Sequence, residues 1–304
     1  MTDRLKDQVA IITGAGEGLG RTFAIHLADQ GAKVVVNNRK REPESTPGSA
    51  DRTVAAIQER GGTAIANYDP VDVSNSGERM VEQALEAFGR LDIVVPNAAI
   101  SPEKSVHRMP PDHFRQVMDI NFFGGLYLTH AALPHLRAAG YGRLVFIIST
   151  AGLHGGHGLA AYSASKAALV ALMQCVAIEN REKGIRSNAL SPYAATRMTR
   201  DAMPVALRDI LTPDRVAPVL GWLASPDCSL SGEIVISGGG AVRLARTMES
   251  GCQIMPDVRT KTAEDLEALC SKLLDSSDLH RFPDAMSEFQ DMVRCLEESG
   301  NTDL

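Results

Sequence analysis

The sequence is poor in aromatic residues and in cysteine, and it contains no long apolar run. Phenylalanine, tryptophan and tyrosine make up 5% of the 304 residues, with a single tryptophan. No stretch of about 18 consecutive apolar residues occurs, so we predict no membrane-spanning helix. The five cysteines are odd in number and include no C-x-x-C pair. We therefore expect five thiols in a reducing compartment, acting as small core residues.

The sequence also lacks an excess of basic residues. Lysine and arginine total 31 against 37 for aspartate and glutamate, which gives a formal net charge of −6. Because nucleic-acid-binding proteins usually carry a basic patch or stripe, we expect no nucleic-acid partner. The N-terminus shows no cleavable signal, and the last three residues, T-D-L, are not a peroxisomal S-K-L signal. These features predict a free-standing cytoplasmic protein.

What the sequence does contain is a regular alternation of strand and helix patterns. Hydrophobic residues form 44% of the chain and charged residues 22%, which is typical of globular proteins. The predicted strands are Gln8–Thr13, Lys33–Asn37, Thr63–Tyr68, Leu91–Pro96, Arg143–Ile148, Ile185–Leu190 and Glu233–Ile236. Helical patterns lie between them, so we predict an α/β fold with a Rossmann-type doubly wound parallel sheet of about seven strands flanked by helices.

The last part of the chain departs from this alternation. After Gly238–Gly240 the strand pattern stops, and Ala263–Leu274 and Asp284–Leu296 are predicted as amphipathic helices. We therefore predict one dinucleotide-binding domain over residues 1–255 and a C-terminal helical extension over residues 256–304. The extension could cover the site or join subunits, and the sequence leaves both roles open.

A glycine-rich turn joins the first predicted strand to the first helix. Residues 13–20 read T-G-A-G-E-G-L-G, and glycines in this position let the backbone approach a pyrophosphate closely. A tight turn without a ligand is the alternative, but the position at the front of a doubly wound pattern favours a dinucleotide. The predicted contacts are Gly14, Gly16, Gly18, Leu19 and Gly20.

The residues after the second strand bear on the choice of cofactor. A carboxylate there accepts a hydrogen bond from the ribose hydroxyl of NAD, whereas arginine accommodates the 2′-phosphate of NADP. Here Asn38 and Arg39 occupy the position, which favours NADP with NAD as the alternative. Glu17 would repel a phosphate, and Arg39–Arg41 could instead be a solvated loop. Asp72-Val73 could contact the adenine, or Asp72 could simply begin a helix.

Two side chains on one predicted helix suggest acid–base chemistry. Tyr162 is followed four residues later by Lys166, so the two share a helix face. An ammonium group beside a phenol favours the phenolate, although an isolated Y-x-x-x-K is often only a solvated face. Ser149 ends the fifth strand, at the sheet edge where doubly wound folds bind ligands, and its hydroxyl could contact a substrate oxygen.

Together these motifs resemble the short-chain dehydrogenase/reductase family in order and spacing. The matching positions are T-G-x-x-x-G-x-G at 13–20, Asp72, P-N-A-A at 96–99, Asn121, Ser149, Tyr162 and Lys166. The resemblance implies that Tyr162 is the general acid/base, that Ser149 orients the substrate oxygen and that Lys166 binds the nicotinamide ribose and lowers the tyrosine pKa. It further implies that Asn121 holds a water in a proton relay. The implied further cofactor contacts are Asn97, Ala98, Pro192 and Thr196.

Some segments resemble a narrower group, the D-3-hydroxyacyl-CoA or 17β-hydroxysteroid dehydrogenase part of the peroxisomal multifunctional enzyme. These segments are residues 48–51, 64–72, 191–199 and 216–223, with a weaker match in the tail. That group has an aspartate where this chain has Asn38, so its NAD preference need not transfer. Tyr193 also departs from the family, which usually has glycine there, and its bulk should reshape the pocket floor.

The expected substrate is bulky and hydrophobic, because the segment after Pro192 is apolar, although an ordinary amphipathic helix would look the same. The predicted substrate contacts are Ser149, Tyr162, His154, Tyr193 and Met198, and no metal site is predicted. The resemblance implies an NAD(P)-dependent oxidoreductase that interconverts a secondary alcohol and a ketone and forms homodimers or homotetramers. A 17β-hydroxysteroid-type substrate is preferred, with a D-3-hydroxyacyl-CoA as the alternative. Basic groups for CoA phosphates would be Arg243, Arg246, Arg259 and Lys261. A non-catalytic dinucleotide-sensing module is the hypothesis from another class.

Overall fold

The computed structural model describes residues 3–40, 48–201, 203–255 and 258–298. The chain divides into two compact units, Met1–Ala245 and Arg246–Leu304. The division lies before the boundary predicted after residue 255, because the strands of the segment beyond Arg246 pair with each other and not with the large sheet. Arg41 and the terminal T-D-L tripeptide lie outside the described residues.

The first unit contains an eight-stranded sheet in the order β3-β2-β1-β4-β5-β6-β7-β8. Its strands are β1 (Val9–Ile12), β2 (Lys33–Asn37), β3 (Thr63–Asn67), β4 (Ile93–Val95), β5 (Gly142–Ile147), β6 (Ile185–Pro192), β7 (Ile234–Gly238) and β8 (Ala241–Ala245). The first seven strands are parallel, and all seven were predicted. The predicted Rossmann-type fold is confirmed.

The prediction that the strand pattern stops after the glycine triplet is wrong. Gly239 and Gly240 have φ values of 63° and 92°, which are accessible to glycine, and they reverse the chain. β8 then runs antiparallel to β7 and forms one edge of the sheet. This strand was not predicted because Val242 and Leu244 are exposed, so β8 lacks the buried apolar face on which strand prediction depends.

Helices cover both faces of the sheet in the first unit. They are α1 (Gly18–Asp29), α2 (Ser49–Glu59), α3 (Ser76–Phe88), α4 (Pro111–Met118), α5 (Gly124–Ala139), α6 (Ala151–His154), α7 (Ala160–Glu179), α8 (Val205–Arg208) and α9 (Ala217–Leu223). Alternate residues of β1 serve opposite faces: Ala10 and Ile12 belong to one buried cluster, and Val9 and Ile11 to the other. This two-sided burial explains why the strands read as uninterrupted apolar runs.

Helix α7 is long and apolar enough to cross a membrane by length and composition. Its Leu169, Met173 and Val176 are nevertheless buried in the core cluster that β5 and β6 also enter. A helix that packs against a central sheet is apolar for that reason, and its length alone is weak support for a span. We therefore describe α7 as a core helix, and it carries Tyr162 and Lys166.

The described part of the second unit contains a short antiparallel strand pair, a 3-10 turn (Val258–Thr260) and two helices. β9 (Glu249–Ser250) pairs antiparallel with β10 (Leu279–His280), and the helices are α10 (Ala263–Leu274) and α11 (Ala285–Glu298). Both predicted helices are confirmed. Neither helix has a buried residue among those described, so this unit lacks the apolar core of the first.

The prediction of five thiols is wrong, because a disulfide joins Cys252 to Cys295 in the second unit. The two cysteines are 43 residues apart in sequence, and such a pairing leaves no local pattern. Of the others, only Cys228 is the buried core residue that we expected, whereas Cys175 and Cys270 are exposed thiols.

Candidate active site

The glycine turn lies where the strand order of the sheet reverses. β1 stands between β2 and β4, so the connections from β1 and from β4 leave toward opposite sides and open a crevice at the carboxyl end of β1. Residues 13–17 connect β1 to α1, whose first helical residue is Gly18. The N–H groups of this helix start are available to an anion in the crevice.

One position in the turn and one in the first turn of α1 require glycine, because the backbone there packs closely against its neighbours. Gly14 has a φ of 66°, and a Cβ there would lie 2.9 Å from the Cα of Ala98. A Cβ on Gly20 would collide with the carbonyl oxygen of Gly14. The backbone of the turn is therefore packed without side chains against α1 and β4. The residues present fit the pyrophosphate of NAD or NADP.

The end of β4 is fixed to this turn by hydrogen bonds. The hydroxyl of Thr13 accepts from the backbone N–H of Asn97 at 3.0 Å and from that of Ala98 at 3.1 Å. The side-chain amide of Asn97 donates to the carbonyl oxygen of Thr13 at 2.8 Å. These bonds use only Asn97 and the backbone of its neighbour, so Pro96 and Ala99, which differ from the usual family motif, leave the contact intact.

A cavity of about 350 Å³ extends from the glycine turn to the end of α7. Most of the predicted site residues line it, and these are Gly14, Gly18, Leu19, Gly20, Asn38, Arg39, Asp72, Asn97, Ala98, Ser149, Tyr162, Lys166, Pro192, Tyr193, Thr196 and Met198. Four predicted residues are not among its lining residues. They are Gly16, Val73, Asn121 and His154.

Each of these four residues has a physical reason for lying outside the cavity wall. Gly16 lies behind the turn, where a Cβ would come within 2.7 Å of Asn38 Nδ2. Val73 and His154 are exposed to solvent, His154 at the end of the short helix α6. Asn121 is buried beneath the cavity, so any role it has there is exerted through other groups. Contacts of Val73 with cofactor and of His154 with substrate remain predictions without geometric support.

The hydroxyl groups of Ser149 and Tyr162 meet on the cavity wall. Burial raises the pKa of Tyr162, and a hydrogen bond from Ser149 offsets part of this rise. The Ser149 hydroxyl also accepts from the backbone N–H of Ala151 at 3.1 Å, which fixes its position. The predicted lowering of the tyrosine pKa by Lys166 is not found: desolvation raises this pKa, and the opposing effect comes from Ser149.

Lys166 is a buried cation beneath the tyrosine ring. Only 1% of the residue is exposed, and burial lowers its pKa to about 7. Its Nζ donates to the backbone oxygen of Ile147 at 2.6 Å and lies 5.7 Å from the centroid of the Tyr162 ring. The ammonium group is thus oriented by β5, and it faces the cavity as the predicted ribose contact requires.

Asn121 lies in a π-helical turn, Asp119–Phe123, that joins α4 to α5. Its Oδ1 accepts from the N–H of Ile100 at 2.8 Å, while its Nδ2 donates to Ile100 O and to Ser165 Oγ, both at 3.0 Å. Both amide protons are therefore in use. A relay water would therefore bind to Oδ1 of Asn121 or to the backbone carbonyl oxygen of Asn121.

The adenosine end of the crevice contains the residues predicted to select the cofactor. Asn38 Nδ2 donates to the hydroxyl of Ser49 at 2.5 Å, and the exposed Arg39 lines the cavity beside it. Glu17, which we expected to repel a phosphate, forms an ion pair with Arg197, with 3.1 Å between Oε2 and Nη2. Both side chains are largely exposed, so this pairing offsets only part of the repulsion that the sequence suggested.

The sequence analysis missed Arg197 and Thr150, which both line the cavity. Arg197 follows Thr196 directly, so the position of the motif was the available signal. Thr150 gave no signal in the sequence, because its contact is with Tyr193, which is distant along the chain. The hydroxyl groups of the two residues are 3.1 Å apart. Of the basic residues that the sequence suggested for CoA phosphates, Arg243 belongs to the first unit and lines neither this cavity nor the groove beside it.

Comparison with known proteins agrees with this geometry. Residues 8–204 match the family model described as short chain dehydrogenase. A short-chain type dehydrogenase/reductase of Mycobacterium tuberculosis is 40% identical over 79% of this chain and 85% of its own length. Peroxisomal multifunctional enzyme A of Dictyostelium discoideum is 35% identical over 95% of this chain.

The similarity extends to a solved structure and is partial for the larger relatives. The full-length peroxisomal multifunctional enzyme type 2 of Drosophila melanogaster superposes with a TM-score of 0.81 at 28% identity, covering 96% of this chain and 50% of that chain. The match covers 64% of the Dictyostelium enzyme. The chain therefore corresponds to only part of each of these larger proteins.

Proposed function

The chain belongs to the short-chain dehydrogenase family, and on that basis we propose that it interconverts a secondary alcohol and a ketone on a bulky hydrophobic substrate with NADP as its cofactor. One observation carries the proposal: Ser149, Tyr162 and Lys166 converge on a cavity whose other end is a glycine turn fitted to a dinucleotide. When bound, the cofactor supplies or accepts the hydride.

The side chains of this site provide the proton transfer and the orientation. Tyr162 holds its proton near neutrality, because burial raises its pKa, and it can donate that proton to the oxygen of a ketone. Ser149 donates a hydrogen bond to the same oxygen and so aligns the carbonyl group. Lys166, held by Ile147, contacts the ribose, and its charge stabilises the phenolate that remains after proton transfer.

NADP is the preferred cofactor because of the groups at the adenosine end. Arg39 lies beside the Asn38–Ser49 pair, and a guanidinium binds phosphate by two hydrogen bonds. Glu17 is paired with Arg197, and this exposed ion pair offsets only part of the repulsion between Glu17 and a 2′-phosphate. NAD remains the alternative, since Asn38 Oδ1 could accept a hydrogen bond from the ribose hydroxyl.

The substrate class is argued from the apolar part of the cavity wall. Val71, Ile100, Met198 and Met203 line the cavity, and methionines adapt to irregular hydrophobic shapes. We retain a 17β-hydroxysteroid-type substrate as the first candidate. A D-3-hydroxyacyl-CoA is the second, which the similarity to the multifunctional enzymes favours.

The direct test is turnover of a panel of ketones and alcohols. The absorbance of the reduced nicotinamide monitors the reaction, with NADPH or NADH for the ketones and with NADP or NAD for the alcohols. The panel pairs oestrone with oestradiol and a 3-oxoacyl-CoA with its D-3-hydroxy product. We expect turnover with at least one pair and tighter binding of NADPH. Cofactor binding without turnover of any pair would instead support the dinucleotide-sensing module.

Two further predictions stay proposals. The proposal of a homodimer or homotetramer is supported by the family, whose members commonly form dimers and tetramers. Sedimentation of the purified chain tests it, and a monomer would contradict it. A cytoplasmic location is tested by fractionating cells that express the chain beside organelle markers. Recovery with the peroxisomal marker would contradict it.

A further inference from the structure

A second groove, of about 480 Å³, adjoins the catalytic cavity. The two share Ala99, Ile100, Arg197 and Met198 as lining residues. The other described residues of the groove are Ser101, Pro102, His113 and Gln116. A substrate that enters the catalytic cavity can therefore continue into the groove past a shared wall.

The groove differs from the catalytic cavity in its chemistry. Its described lining contains one permanently charged side chain, that of Arg197, and no carboxylate. His113 and Gln116 are three residues apart on α4 and so present their side chains on one face of the helix. An arginine fork with an imidazole and an amide nearby is a set of hydrogen-bond donors suited to a carboxylate or a phosphate.

Arg197 is available to a ligand at little energetic cost. Its only ion pair among those found in the described residues is with Glu17, and the side chains of the two residues are 73% and 46% exposed. Surface ion pairs of this kind contribute little, because water competes for both partners. A ligand anion in the groove would compete with Glu17 for the guanidinium, since the groove offers it further hydrogen-bond donors beside Arg197.

We propose that this groove is a subsite for an anionic group, a carboxylate or a phosphate, at the end of the substrate remote from the reacting carbon. The inference rests on the proposed function, since it extends the substrate of that site. Arg197 binds the anion by two parallel hydrogen bonds, with Gln116 and His113 as additional donors. A fully apolar substrate would leave these donors without a partner from the ligand.

The test uses flexible ketones that differ only at the remote end: 9-oxodecanoate, its methyl ester and 9-oxodecyl phosphate. The readout is the ratio of kcat/KM for each anion to kcat/KM for the ester, because a ratio cancels effects on the chemical step. We expect ratios well above one for the unaltered enzyme. The carboxylate and phosphate arms show which anion the groove prefers.

Substitution then assigns the preference to the groove. Arg197→Gln should lower the ratios by about 10- to 100-fold, the effect of losing a hydrogen bond to a charged group. Gln116→Leu should lower them less, and Arg197→Lys should retain part of the preference. The matched control is Arg200→Gln, three residues further along the same segment, where an exposed arginine lines neither cavity and the ratios should not change.

Failure of this proposal can be told apart from failure of the proposed function. If no ketone is turned over, the dissociation constants of 9-oxodecanoate and its ester, measured by calorimetry with NADP present, give the same ratio without catalysis. Equal ratios for the unaltered enzyme and Arg197→Gln would overturn the subsite. So would a variant that loses only NADP affinity, since Arg197 would then serve the cofactor.

Discussion

The Nζ of Lys166 lies 5.7 Å from the centroid of the Tyr162 ring and is fixed there by its hydrogen bond to the backbone of β5. Burial acts on the two groups in opposite directions, raising the pKa of the phenol and lowering that of the ammonium to about 7. Near neutrality the tyrosine therefore keeps its proton, while the lysine releases its proton more readily than a solvated lysine does. This state suits proton donation to a ketone.

The lowered pKa of Lys166 predicts a pH-dependent stability. In the unfolded chain this lysine binds its proton up to about pH 10.5, whereas in the folded protein it releases the proton near pH 7. Between these values the unfolded state binds more protons, so the contribution of Lys166 to the free energy of unfolding rises with pH and is smallest below pH 7. The slope is up to about 1.4 kcal/mol per pH unit.

Urea unfolding of the unaltered protein and of Lys166→Met at pH 6, 7, 8 and 9 measures this effect. The difference in unfolding free energy should move in favour of the unaltered protein as the pH rises. The raised pKa of Tyr162 acts only near pH 10 and above, outside this window. Lys183→Met, at an exposed lysine, is the control, and a pH-independent difference for both variants would contradict the prediction.

Gly14→Ala should disturb the cofactor turn more than a matched substitution elsewhere. Gly14 and Gly61 both have positive φ values, 66° and 81°, so alanine is strained at both. A Cβ on Gly61 has open space, whereas one on Gly14 meets the Cα of Ala98. We expect Gly14→Ala to be less stable than Gly61→Ala by roughly 1–3 kcal/mol and to lose cofactor affinity. Equal unfolding midpoints in urea would contradict this.

Arg39→Gln tests the choice between the two cofactors. It should raise the dissociation constant of NADPH by roughly 10- to 100-fold relative to that of NADH, because the variant loses a charged hydrogen bond to the 2′-phosphate. Fluorescence titration of the reduced nicotinamide measures both constants. Arg21→Gln, an exposed arginine on α1, controls for the loss of one positive charge and should leave their ratio unchanged. An unchanged ratio for Arg39→Gln would favour a solvated loop.

Loss of the disulfide should loosen the second unit alone. A cross-link between Cys252 and Cys295 typically contributes about 2–4 kcal/mol, and α10 and α11 have no buried residue to replace it. Cys295→Ser should therefore speed proteolysis within residues 246–298, followed by mass spectrometry. Cys270→Ser, at an exposed thiol, is the control. Detection of five free thiols in the unaltered protein under non-reducing conditions would contradict the pairing.

The sequence predicted the seven parallel strands and the family because both depend on local patterns. Apolar runs such as Val9–Ile12 reflect burial on both faces, and the motif that ends in Lys166 repeats a fixed spacing. β8 was missed because its apolar side chains are exposed. The strand is recognisable only once the sheet edge beside β7 is known.

Contacts between distant segments were beyond the sequence for a different reason. Glu17 follows β1 and Arg197 follows β6, so they are far apart in sequence, yet they form an ion pair. This pair offsets part of the negative charge that Glu17 presents to the cofactor. The pKa of Tyr162 was predicted with the wrong sign, because the lysine was visible in the sequence and the burial was not. His154 was chosen for its place between Ser149 and Tyr162, and the turn of α6 directs it elsewhere.

The most direct test of the central claim is the kcat/KM of Tyr162→Phe with the best ketone of the panel, measured with the dissociation constant of the reduced cofactor. We expect kcat/KM to fall by roughly 10²- to 10⁴-fold, the usual contribution of a general acid, with cofactor affinity nearly retained. Tyr127→Phe, on α5, should behave like the unaltered enzyme. Turnover by Tyr162→Phe at the unaltered rate would contradict the assignment of the proton to this residue.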